Sequence, residues 1–120
     1  QEPEAKLKWY YETRILFVQY LLHEDAPLLA AFLSHSKAAL EVLQDLRESD
    51  PEKDLMAAEV FFLRGAVKAM DKKNVASALE LKSACTLIYR NSQVFPNNKE
   101  QLKLLGIFNV GMSAIPKKLK

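Results

Sequence analysis

Apolar residues recur three and four positions apart along nearly the whole chain, and no stretch alternates apolar with polar like a half-buried strand. That period suits helices, so the expected fold class is all-α. Turn material is scarce to match. With 3 Gly and 5 Pro in 120 residues, the chain lacks the many tight turns of a sandwich or barrel. Hydrophobic residues make up 49%, enough for a core and too many for a disordered chain. The length fits one helical domain over residues 1–120.

Five helices are expected, in antiparallel pairs because every connection is short. The first covers about residues 3–22, with Leu7, Tyr11, Ile15, Val18 and Leu22 on one stripe and Trp9 and Tyr20 off it, so packing on two sides is expected. His23-Glu24-Asp25 makes a polar turn in which Asp25 can cap the second helix, just ahead of Pro27. That helix runs to about residue 47, with Leu29, Phe32, Leu33, Ala39, Leu40, Val42, Leu43 and Leu46 as core candidates. Ser34-His35-Ser36 marks a possible bend.

The clearest boundary is Glu48-Ser49-Asp50-Pro51-Glu52, where Ser49 or Asp50 can cap and Pro51 suits a first helical position. The third helix, about residues 51–70, is apolar around most of its circumference, which implies a position between other helices. Asn74 is the expected cap of the fourth helix. Its stripe reads Val75, Ala78, Leu81, Cys85 and Ile88, with Leu79 and Leu87 beside it, out to about residue 95. Asn97 and Glu100 have reciprocal-cap spacing for a fifth helix ending near residue 114.

Repeats decide between a bundle and a stack of hairpins. The segment Phe95-Pro96-Asn97-Asn98-Lys99-Glu100-Gln101-Leu102-Lys103-Leu104-Leu105-Gly106 resembles the join between two tetratricopeptide (TPR) repeats. Counted from Lys99, Leu102 stands at the fourth place, Leu105 at the seventh and Gly106 at the eighth. Counted from Ala58, Phe61 is fourth and Gly65 eighth, with Arg64 in place of the usual leucine. Gly inside a helix costs about 1 kcal/mol relative to Ala, so two at matching places need a packing reason: the paired helix approaches closely there. Ala78 and Ala84 both compete for the small-residue place of the second helix in the repeat.

The two glycines lie 41 positions apart, against a family repeat of about 34, with most of the excess in the fourth helix. The resemblance covers about residues 51–115, one divergent repeat and the first helix of another, while residues 1–50 form a helical hairpin without that register. A narrower likeness, from Ala58-Glu59 through Phe95-Pro96-Asn97 to Ile115-Pro116-Lys117-Lys118, is similar to exported TPR-like proteins of gut Bacteroidetes. It implies an exported or periplasmic protein longer than these residues; without it, a cytoplasmic location is expected.

A TPR resemblance implies a protein or peptide partner in the groove lined by the first helix of each repeat. Carried over place by place, the groove positions are Glu59, Phe62, Leu63 and Ala66, then Glu100, Lys103, Leu104 and Ile107, with Lys68, Lys72 and Lys103 as a basic rim. Phe62, Leu63, Leu104 and Ile107 are more apolar than an open groove tolerates. Either they bind a hydrophobic peptide or another segment covers them; cover is favoured.

Charge offers a second reading. Residues 1–60 carry 6 Lys+Arg against 12 Asp+Glu, a balance of −6, and residues 61–120 carry 11 against 3, a balance of +8. Opposite halves of neighbouring molecules could therefore attract. A nucleic-acid binder is the weaker use of that charge, because the cations are dispersed and lack interleaved aromatics.

Chemistry finds little footing. Cys85 lies on the apolar stripe, where a buried, inert thiol is expected. His23-Glu24-Asp25 are consecutive and rarely converge on one metal ion. All three glycines, Gly65, Gly106 and Gly111, fall within expected helices, so no phosphate-binding loop is present. The expectation is a non-enzymatic interaction or scaffolding module with no cofactor, no metal and no membrane-spanning segment, with a self-associating structural piece as the alternative.

Overall fold

The computed structural model describes residues 3–44 and 51–94. Among them the structure is all-α, with four helices and no strand: α1 Pro3–His23, α2 Ala26–Gln44, α3 Pro51–Met70 and α4 Asn74–Val94. The expected fifth helix and the Ser49/Asp50 cap lie outside the described residues. The chain divides into two compact units, Gln1–Glu48 and Ser49–Lys120. In the first α1 packs on α2, and in the second α3 packs on α4.

The α1–α2 hairpin turns at Glu24 and Asp25. Glu24 adopts a left-handed conformation (φ 46°) and its N–H donates to the Tyr20 carbonyl at 2.7 Å, which closes α1. Asp25 then caps α2 as its sequence position suggests, accepting the Leu28 N–H through Oδ1 at 2.8 Å. Ring contacts place Trp9 beside His35 and Phe17 beside Phe32, so the helices run antiparallel.

The face of α1 turned to the core differs from the expected stripe. Thr13 and Tyr20 are buried and Trp9, Leu16 and Phe17 half-buried, whereas Tyr11, Ile15, Val18 and Leu22 are exposed. The reason is local. Thr13 satisfies its hydroxyl within the helix, Oγ1 donating to the Trp9 carbonyl at 2.8 Å, so a nominally polar residue enters the core at no hydrogen-bond cost. Ser36 does the same in α2, donating to the Leu33 carbonyl at 3.2 Å. It sits fully buried among Phe32, Ala39, Leu40 and Leu43, and α2 runs unbroken through Ser34-His35-Ser36.

The α3–α4 hairpin closes through a left-handed Lys72 (φ 63°). The Lys73 N–H donates to the Lys68 carbonyl at 2.8 Å and the Lys72 N–H to the Ala69 carbonyl at 3.0 Å. This is the six-to-one closure that glycine usually provides. Asn74, expected to cap from outside, is instead the first residue of α4, whose opening bond runs from the Ser77 N–H to the Lys73 carbonyl.

In α3, Leu55, Ala57, Ala58, Val60 and Val67 are buried, and no residue from Lys53 to Lys68 is exposed. That agrees with its apolar circumference. In α4 the core stripe is Ser77, Leu81, Ala84, Ile88 and Asn91, with Leu87. Leu81 and Ile88 of the expected stripe, and Leu87 beside it, are buried as expected, whereas Val75, Leu79 and Cys85 are exposed because the core face is turned toward Ser77, Ala84 and Asn91.

Candidate interaction surfaces

Gly65 sets the geometry of the second hairpin. A Cβ built there would lie 2.9 Å from Leu81 Cγ and 3.3 Å from the Ser77 carbonyl oxygen. Both distances are tighter than ordinary packing, so the two helices meet at the missing side chain. Ser77 is the small residue opposite, and its Oγ donates to the Gly65 carbonyl at 2.6 Å across the buried contact. Of the two alanines weighed for the small-residue place, Ala84 is buried and Ala78 half-buried. The sequence signal for Ser77 was its small size in register with Gly65, masked by its hydroxyl.

Arg64, the departure from leucine, has its own partner. Its Nε donates to Glu80 Oε2 on α4, and the Lys68 ammonium lies 3.3 Å from the same oxygen. The Arg64 and Glu80 side chains are 13% and 14% exposed, so the carboxylate is shielded between two cations rather than solvated. Lys68 was expected on an open basic rim; its charge is spent within the hairpin.

The remaining expected contact positions divide clearly. Glu59, Phe62 and Leu63 are half-buried and Lys72 is exposed on the turn. Lys103, Leu104 and Ile107 lie outside the described residues. Among the described residues, no group of three or more His, Cys, Asp or Glu side chains could hold a metal ion, and no helix is long and apolar enough to cross a membrane. Cys85 is exposed rather than buried, because α4 is rotated to bring Ala84 and Ile88 inward.

Two features stand outside the expected contact positions. His35 joins the helices of the first hairpin: its ring lies 4.5 Å from that of Trp9, and Nε2 is 3.1 Å from Glu12 Oε2. The Nε2 approach has the distance of an ion pair without the alignment of a hydrogen bond. The second feature is the outer face of α1. Tyr11, Ile15, Val18 and Leu22 are 52%, 57%, 51% and 74% exposed. Their spacing of four, three and four residues places them on one narrow seam, opposite the face that carries Thr13 and Tyr20.

With Leu21 also exposed, this seam is a contiguous, mainly apolar strip open to solvent. A seam repeating every 3.5 residues is the pattern that another helix covers. Comparison with protein-family models, with curated proteins and with solved structures found no match for this chain.

Proposed function

We propose that this protein is a non-enzymatic protein–protein interaction or scaffolding module of the TPR-like type, with five helices in antiparallel pairs. The observation that carries the interaction reading is the apolar seam Tyr11, Ile15, Val18 and Leu22, turned away from the hairpin's own core. The TPR-like reading draws support from the close helix approach at Gly65 and Ser77, which is the packing reason the eighth-place glycine called for. In this reading Glu59, Phe62, Leu63 and Lys72, with Lys103, Leu104 and Ile107, form a secondary contact strip.

A photo-crosslinking side chain at Val18, carried by the protein in its native cell, tests the reading. Crosslinks to one defined protein species are expected at Val18 and not at the exposed Ala30 of α2. Equal, diffuse labelling at both positions rejects it. The charge imbalance between the halves favours a second reading, head-to-tail self-association through opposite charges. High salt would dissolve that assembly and leave an apolar seam engaged.

A further inference from the structure

We infer that the partner of the α1 seam is a second copy of this chain, docked with the two α1 helices antiparallel about a two-fold axis. This deepens the interaction reading and rests on it. Three observations lead there.

The seam is self-complementary in one direction. With the axis between Ile15 and Val18, Ile15 packs against the partner's Val18 and Tyr11 against the partner's Leu22. Each large side chain thus faces an aliphatic one, the arrangement a two-fold interface requires of a single patch.

Charge selects the antiparallel sense. Lys8 lies one turn before Tyr11 and is exposed, and Glu24 and Asp25 lie just beyond Leu22, also exposed. The same register brings Lys8 toward the end of the partner's α1, where the acidic turn at Glu24 and Asp25 follows. A parallel pair would instead set Lys8 against the partner's Lys8 and would align the helix dipoles head to head.

The size of the seam sets the strength. Four side chains on one helix make a small interface, so a weak, concentration-dependent dimer is expected rather than a permanent one.

Sedimentation equilibrium of the 120-residue chain across about 1–300 µM, combined with disulfide trapping in a Cys85→Ser background, tests this. The background is needed because Cys85 is exposed. Monomer–dimer equilibrium is expected, weakened at least about tenfold by Ile15→Glu, which a two-fold dimer carries twice. It should weaken only a few-fold at high salt, since most of the seam is apolar. A mixture of Tyr11→Cys and Leu22→Cys chains should give mainly the Tyr11→Cys/Leu22→Cys heterodimer. Predominant Tyr11→Cys homodimers would overturn the antiparallel geometry. A wild-type chain monomeric throughout would overturn the second copy as occupant. If Val18 then still crosslinks one other protein in the cell, the interaction reading survives; if it crosslinks nothing, both fall.

Discussion

The two hairpins share a plan and reach it by different packing. The α1–α2 hairpin is held by aromatic contacts, Trp9 on His35 and Phe17 on Phe32, around hydroxyls satisfied within their own helices. The α3–α4 hairpin is held by a close backbone approach at Gly65 and a shielded carboxylate shared by Arg64 and Lys68. Aromatic packing spaces helices apart and tolerates adjustment; a glycine contact does not. The first hairpin also leaves a whole apolar seam of α1 uncovered, while α3 exposes no residue between Lys53 and Lys68. The first hairpin is therefore the one with apolar surface left over, and the second the one with the tighter helix contact.

The comparison breaks most sharply at Gly65. Gly65→Leu forces a branched side chain into Leu81 and the Ser77 backbone, and should cost about 3 kcal/mol or more, read as a lower denaturation midpoint. A near-neutral result would mean that the helices separate more easily than the contact implies. Glu80→Ala comes next. It leaves Arg64 and Lys68 partly shielded without their carboxylate and should cost about 2 kcal/mol by urea denaturation.

His35→Ala probes the looser hairpin. The loss of the Trp9 ring contact should cost about 1 kcal/mol and shift the emission of Trp9, the sole tryptophan. Unchanged emission would place His35 away from the indole. The smallest effect has the opposite sign. Lys72→Gly relieves a left-handed backbone that costs a side-chain-bearing residue about 1 kcal/mol, partly offset by chain entropy, so stability should rise by about 0.5 kcal/mol. A loss would mean that the Lys72 side chain contributes contacts of its own.

Much of the secondary structure was legible in the sequence, and the faces less so. The period, the Asp25 cap, Pro51 at the head of α3 and the turns after His23 and Met70 all follow from local chemistry. In α1 hydropathy picked the wrong stripe, and in α4 it was right at Leu81, Leu87 and Ile88 but wrong at Val75, Leu79 and Cys85. Thr13, Ser36, Ser77 and Asn91 are polar by composition yet buried, and at least the three hydroxyls bond to backbone carbonyls. A reading that ranks residues by polarity turns such a helix outward. Gly65, recognised with Gly106 for its lack of a side chain, does mark a close contact between α3 and α4, and Gly106 lies outside the described residues. The α1 seam was visible as a stripe but assigned to the core, since periodicity does not tell which of two apolar faces a neighbour covers.

That assignment is the point on which the account turns, and chemical denaturation of Ile15→Glu at about 1 µM, below the expected dimer range, tests it most directly. A carboxylate on a seam outside the core should leave stability within about 0.5 kcal/mol of the parent chain. Tyr20→Glu on the opposite face should cost about 3 kcal/mol or more, because it replaces a core ring with a buried charge. If Ile15→Glu is the more damaging of the two, the seam belongs to the hairpin's own core, and both the interaction surface and the dimer built on it are wrong.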